Sequence, residues 1–191
     1  MSASRSITTR KGDRGTTFLL SGEEVQKDSA RTMAYGDLDE LVSILGIARC
    51  HVGNEEIRRE ILELQRDLFS AGAELATSPE KVPHLKQRIE EADLAKFDAQ
   101  REKWEQRVKM PDGFIIPGGV DSLGAAHLDH ARTVARRVER RVVRLVRENL
   151  VENDVLLRWF NRFSDYLWLI ARIEEGESLS LRELRNRKDG V

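Results

Sequence analysis

Apolar residues recur at helical spacing along most of the chain, and polar punctuation divides them into runs. After a polar, glycine-bearing opening over residues 1–28, the first stripe is Ala34, Leu38, Leu41, Leu45 and Ala48. Asp28 or Ser29 can cap it, and His51-Val52-Gly53 ends it. Asn54 can cap a second helix, with Ile57, Ile61, Leu64, Leu68, Ala71 and Leu75 inward and an end near Thr77-Ser78-Pro79. Residues 82–109 are mostly charged; sparse anchors at Leu85, Ile89, Ala92, Phe97, Trp104 and Val108 predict a helix with one narrow buried edge. The stretch MPDGFIIPGG, residues 110–119, reads as a loop, yet its Phe114-Ile115-Ile116 is too apolar to stand free in water and is expected to pack. A fourth helix spans about Ser122 to Asn149, with Leu128, Ala131, Val134, Ala135, Val138, Val142 and Leu145 on one side. The fifth starts near Asn153 or Asp154 and is the most apolar, carrying Val155, Leu156, Trp159, Phe160, Phe163, Leu167 and Ile170. Residues 175–191 are polar and expected to fray.

This pattern predicts an all-α, up-and-down five-helix bundle of ferritin-like type behind an extended N-terminal loop. The expected division is a loop segment over 1–28, a helical bundle over 29–174 and a polar tail over 175–191. A length of 191 residues fits one domain, and only 4 Pro and 13 Gly argue against a loop-rich β fold. The net charge of −1 means that the chain as a whole is no polyanion binder, so any basic site must be local. Cys50 is the single cysteine, which rules out an intramolecular disulfide and suits a reducing compartment; it is expected to be a small half-buried residue rather than a nucleophile. No apolar run approaches the roughly 20 residues of a membrane span. The opening MSASRSITTRKG lacks the apolar segment of a signal peptide, so a cytoplasmic location is expected.

Charge then changes the picture at two places. The fourth helix carries seven arginines between residues 132 and 147, with Glu139 the only acid among them. Arg132, Arg136 and Arg140 form one ridge at i, i+4, i+8, and Arg137, Arg141 and Arg144 form a second. A solvated face is the ordinary explanation of such charges. Their density points instead to anions or carboxylates that answer them, and guanidinium groups match phosphate oxygens bidentately. A polyphosphate is the economical partner; nucleic acid is the other, less attractive on a near-neutral chain. The second place is TTRKGDRGTT, residues 8–17. It is no Walker motif, but Gly12 and Gly15 permit tight turns whose N–H groups converge on an anion. Thr9, Thr16 and Thr17 add hydroxyls, Asp13 can orient the loop or help hold a hydrated Mg²⁺, and Lys27 adds a point charge. Alone this is equally a charged surface loop; beside the arginine helix it suggests a nucleoside triphosphate. His127 and His130 flank Asp129 at i, i+3, but with neither Glu-x-x-His nor HExxH in the chain a histidine metal site is disfavoured.

Together these segments resemble the PduO-type ATP:cob(I)alamin adenosyltransferases. Thr9, Gly12, Asp13, Gly15, Thr17 and Lys27 are similar to that family's N-terminal signature. AYGDLDEL at 34–41, LQRDLFSAGAELAT at 64–77, FIIPGG at 114–119, ARTVARRVERR at 131–141 and NRFSDYLWLIAR at 161–172 resemble the remaining blocks, in family order. The resemblance implies a homotrimer with one active site at each subunit interface, and transfer of the 5′-deoxyadenosyl group from Mg-ATP to the cobalt of cob(I)alamin with release of triphosphate. It assigns ATP binding to Thr9, Arg10, Lys11, Gly12, Thr17, Phe18 and Lys27, to Arg136, Arg137, Val138, Glu139 and Arg140, and to Asn161. Mg²⁺ is expected on the ATP phosphates, with no protein metal site. The implied catalytic set is Arg137, the subunit-linking pair Asp39 and Arg132, and Phe114, set beneath the corrin ring where it keeps the lower axial ligand away. An adenosylcobalamin-dependent acceptor enzyme is a possible further partner; neither nucleic acid nor membrane is expected.

Three features depart from the family pattern. Val42 stands where a polar residue is usual, the segment between PGG and ARTV is about two residues longer, and Asp129 falls where the family has a histidine. Two other function classes stay in play at this level: an ATP- or corrinoid-binding carrier or regulator without turnover, and a nucleic-acid-binding helical protein.

Overall fold

The structure is a computed structural model and describes residues 8–188. Five long helices and one short one follow a small hairpin: β1 Thr16–Phe18, β2 Glu24–Gln26, α1 Ala30–His51, α2 Glu55–Leu75, α3 Glu91–Glu105, α4 Leu123–Arg147, α5 Asp154–Glu175 and α6 Leu181–Lys188. The caps sit where the polar punctuation puts them. Ser29 Oγ accepts Thr32 N–H at the start of α1, Asn54 accepts Glu56 and Ile57 N–H at α2, Ser122 accepts Ala125 N–H at α4, and Asn153 accepts Val155 N–H at α5. Glu55 and Glu56 also meet the positive end of the α2 dipole.

The helices run up and down. Buried Arg31, on the first turn of α1, donates to the carbonyls of Leu75 (2.9 Å) and Leu150, so the start of α1 lies against the ends of α2 and α4. At the opposite end Gly124 lies so close to Val52 that a β-carbon there would stand 2.9 Å from Val52 Cα. The apolar stripes of α1, α2, α4 and α5 are buried as their spacing predicts. The centre is aromatic: Phe97 of α3 stands 5.5 Å from Trp159 and 5.9 Å from Phe163 of α5. Such pairs contribute about 0.5–1.5 kcal/mol each beyond area burial. Trp104 Nε1 donates to Tyr166 Oη (3.0 Å), which donates to Glu60 (2.7 Å), so the buried polar ends are answered. Burial first, then Glu60, pushes the Tyr166 pKa up.

Five expectations need correction. The third helix does not span 82–109. Pro79–His84 form a 3-10 helix, and residues 85–90 lie outside any helix, with both backbone groups of Ile89 taken by tertiary bonds. Buried Glu74 accepts Ile89 N–H (2.6 Å), and Asn153 donates to Ile89 O (2.9 Å). Ala92, expected as an anchor, is exposed; Leu94 is buried instead. The opening is not a loop throughout, since Thr16↔Gln26, Thr17↔Val25 and Phe18↔Glu24 pair antiparallel. Cys50 is exposed rather than half-buried. The tail is ordered over residues 175–188: Gly176 takes φ 74° to end α5, and Ser180 and Glu183 exchange bonds as a capping box that starts α6. Residues 1–7 and 189–191 of the expected arm and tail lie outside the described residues.

Candidate active site

The arm is built from turns. Gly15 N–H bonds Gly12 O (3.1 Å) and Lys27 N–H bonds Gly15 O (2.8 Å), which ties the turn over residues 12–15 to the end of β2. Gly15 takes φ 83° and Arg10 takes φ 58°, a left-handed conformation uncommon outside glycine. A β-carbon on Gly12 would sit 2.6 Å from Lys27 Nζ, so only glycine leaves the ammonium where it is. Thr9, Arg10, Lys11, Asp13 and Arg14 are exposed, Thr17 is half-buried, and Phe18 is exposed. The arm is fastened at its far end. Leu20 N–H bonds Ala76 O (2.8 Å), Ser21 Oγ accepts Ser78 N–H (3.0 Å), and Lys81 Nζ pairs with Glu23 (2.7 Å). The Lys81 and Ser21 bonds hold the Glu23 carboxyl down to about 2.

The arginines of α4 divide between two faces. On the α5 side, Arg136 Nη1 donates to Ser164 Oγ (3.4 Å), and Asn161 Nδ2 donates to Glu139 Oε1 (3.0 Å). Arg140 is exposed one turn beyond Arg136. Arg136, Glu139, Arg140 and Asn161 are therefore brought together on one surface. Val138, from the same segment, is fully buried, so its side chain belongs to the core and not to that surface. On the α1 side, Arg137 pairs with Glu40 and lies 3.6 Å from Asp37, while Arg141 lies 3.0 Å from Asp37. Arg144 pairs with Glu148 (2.7 Å). Carboxylates thus answer the second ridge within the chain. The signal for this was present in AYGDLDEL, where Asp37 and Glu40 are three residues apart and so share a helix face.

Asp39 is exposed on α1, and Arg132 lies 3.4 Å from Asp129 rather than beside Asp39. Asp129 is buried, and Arg172 of α5 pairs with it at 2.5 Å. Arg172 also lies 3.0 Å from Glu175, which accepts Ser178 Oγ–H (2.7 Å). Periodicity did not reveal this buried network, because a charged residue on an apolar stripe carries no mark of its distant partner. His127 faces His51 with ring centroids 5.6 Å apart, and burial, then His51, then His130, lowers its pKa. Among the described residues, no group of three or more His, Cys, Asp or Glu could hold a metal ion.

Phe114 is 85% exposed, the most exposed large apolar side chain described. Ile115 and Ile116 are half-buried, so the expected packing of this loop holds for two of its three apolar residues. No described helix is long and apolar enough to cross a membrane.

Comparison with known proteins bears directly on these features. Residues 7–174 match the cobalamin adenosyltransferase family. The chain is 40% identical over 169 residues to a corrinoid adenosyltransferase of Citrobacter freundii, covering 88% of this chain and 94% of that protein. It is 40% identical over 173 residues to the corrinoid adenosyltransferase PduO of Salmonella typhimurium, covering 90% of this chain but only 50% of that longer protein. Among solved structures, a phenylalanine-to-alanine variant of a PduO-type ATP:corrinoid adenosyltransferase from Lactobacillus reuteri, complexed with cobalamin and ATP, superposes with a TM-score of 0.82 at 32% identity, covering 93% of this chain and 99% of that one. An arginine-to-lysine variant, complexed with ATP, gives 0.81 at 31% identity, covering 92% and 100%. With nearly its whole bundle matched in sequence and in fold, the chain belongs to the cobalamin adenosyltransferase family.

Proposed function

We propose that the chain transfers the 5′-deoxyadenosyl group of ATP to the cobalt of cob(I)alamin, yielding adenosylcobalamin and triphosphate. The observation that carries this reading is the exposed α4–α5 surface where Arg136, Glu139, Arg140 and Asn161 meet. Such a surface suits a nucleotide: guanidinium groups for phosphate oxygens, and an amide–carboxylate pair for neutral polar groups. The arm, with Thr9, Arg10, Lys11, Gly12, Thr17, Phe18 and Lys27, closes over it from a neighbouring protomer of a homotrimer. Asp39 of one protomer then meets Arg132 of the next, which explains why Asp39 is exposed in the single chain. Mg²⁺ rides on the phosphates, with exposed Asp13 the nearest arm carboxylate in sequence. The assembly works in the cytoplasm and hands its product to an adenosylcobalamin-dependent enzyme.

The chemistry asks little of side-chain acids or bases. Cobalt(I) supplies the electron pair that forms the Co–C5′ bond; the C5′–O bond breaks, and its electrons leave on triphosphate. The protein holds C5′ in line with cobalt and neutralises the leaving group, which is positioning and preorganised charge. Arg136, Arg140 and Lys27 supply that charge. Phe114 lies beneath the corrin ring. Its apolar face favours a cobalt(II) centre without a lower ligand and so eases reduction to cobalt(I).

The test is direct. With ATP, Mg²⁺, cobalamin and a strong reductant, the corrinoid spectrum should change to that of an alkylcobalt species. ATP binding without this change would make the chain a carrier and overturn the proposal. Phe114→Ala should lower the rate from cob(II)alamin at least about tenfold more than the rate from supplied cob(I)alamin, a barrier difference of about 1.4 kcal/mol. Equal losses in the two assays would remove Phe114 from the lower face.

A further inference from the structure

Phe114 combines an exposed ring with a fixed backbone. The polar tail lies antiparallel to its loop, with Ile115 bridged to Ser180. Ile116 N–H bonds Leu179 O (3.0 Å) on one side of the bridge, and Leu181 N–H bonds Phe114 O (2.8 Å) on the other. Arg182 pairs with Asp112 within the loop, two residues before Phe114. Gly119 lets the two segments touch, since a β-carbon there would fall 2.6 Å from Leu179 Cβ. The tail is held in turn from beneath: Ser178 bonds Glu175 at the end of α5, and the Ser180–Glu183 capping box fixes the first turn of α6.

We infer that residues 178–182 are a positioning element for Phe114: the tail clamps the main chain at the Phe114 carbonyl and, two residues on, at the Ile116 N–H, and so sets the height and tilt of the ring. The inference rests on the reading that Phe114 works beneath the corrin. An exposed phenyl ring has few packing contacts to orient it, and here the loop on one side carries Pro117, Gly118 and Gly119. Orientation must therefore come from the main chain, and the main-chain partners are in the tail. Leu181 is a positioning residue that acts through its N–H and not through its side chain.

One substitution isolates that N–H. Leu181 is the first residue of α6, where the capping box leaves its amide outside the helix's own bonds. Proline is tolerated at such a position and follows an extended residue well, which Ser180 is. Leu181→Pro thus deletes the bond to Phe114 O and leaves α6 in place, while Leu181→Ala keeps the N–H and loses the side chain. Rates should be measured from cob(II)alamin and from supplied cob(I)alamin for both variants and for Phe114→Ala. Leu181→Pro is expected to lower the cob(II)alamin rate about two- to tenfold relative to the cob(I)alamin rate, the range one hydrogen bond commands. Leu181→Ala should leave that ratio as in the native protein. Amide hydrogen exchange gives a second measure: Ile116 N–H should be protected in the native protein and exchange faster in Leu181→Pro. If Phe114→Ala shifts the ratio and Leu181→Pro does not, the clamp is refuted and the role of Phe114 stands. If Phe114→Ala itself leaves the ratio unchanged, the lower-face reading fails and the clamp falls with it. An unprotected Ile116 amide in the native protein overturns the clamp by itself.

Discussion

Replacing Arg172 by leucine is expected to lower the free energy of unfolding by about 3–5 kcal/mol, the range for breaking a buried ion pair from one side. Its side chain is 2% exposed and stands between Asp129, 4% exposed, and Glu175, 1% exposed. The bond to Asp129 is short and direct at 2.5 Å. The Nε–H lies 3.0 Å from Glu175 Oε2 but is not aimed at it, and Glu175 Oε1 has no hydrogen-bond partner among the described residues. Arg172 is therefore the one buried guanidinium beside both carboxylates, the half-buried Arg132 reaching Asp129 alone. Leucine would leave Asp129 with only the more exposed Arg132 at 3.4 Å, and Glu175 with only the Ser178 hydroxyl. Adding Asp129→Asn to Arg172→Leu removes one of these charges, so the double variant should be more stable than Arg172→Leu alone. Urea unfolding with an unchanged slope would measure both effects. A loss of less than about 1 kcal/mol for Arg172→Leu, the scale of an exposed pair, would mean that water reaches the network.

The largest effect on catalysis is expected at Arg136. Arg136→Ala should lower kcat/KM for ATP about 10²–10³-fold, the loss typical of one preorganised donor aimed at developing charge. The reason is its surroundings. Its one bond among the described residues is to a serine hydroxyl, at the long distance of 3.4 Å, so the guanidinium is available to phosphate. Arg137, for which the family resemblance implies a catalytic role, is already answered by Glu40 and Asp37. Arg137→Ala should therefore cost less in ATP kinetics than Arg136→Ala. The reverse order would move the phosphate site to the α1 side of α4. Steady-state ATP titrations of the two variants decide between the faces.

The helices were legible where caps and stripes agreed. Ser29, Asn54, Ser122 and Asn153 all cap as their positions suggest, and the stripes beyond them are buried. Residues 82–90 misled because local sequence cannot report that Glu74 and Asn153 take the backbone groups of Ile89 from outside. The tail misled for another reason: its Ser-Leu-Arg-Glu stretch at 180–183 has the pattern of a capping box, but overall polarity outweighed it. For the site, helical arithmetic sorted the arginines into ridges. It could not tell which ridge the chain neutralises with its own carboxylates, because that depends on the neighbouring helix. The exposure of Phe114 was equally hidden, since apolar character in a loop speaks for burial until the backbone is seen to hold the ring out.

The fastening of the arm at Leu20, Ser21 and Glu23 reaches beyond geometry. It roots the lid of the pocket in its own subunit, so on the proposed arrangement a lone folded chain is half an enzyme. Turnover per chain should then fall on dilution past the point where subunits separate, while helix content measured by circular dichroism stays level. Constant specific activity through that separation would mean that each chain can shut its own lid.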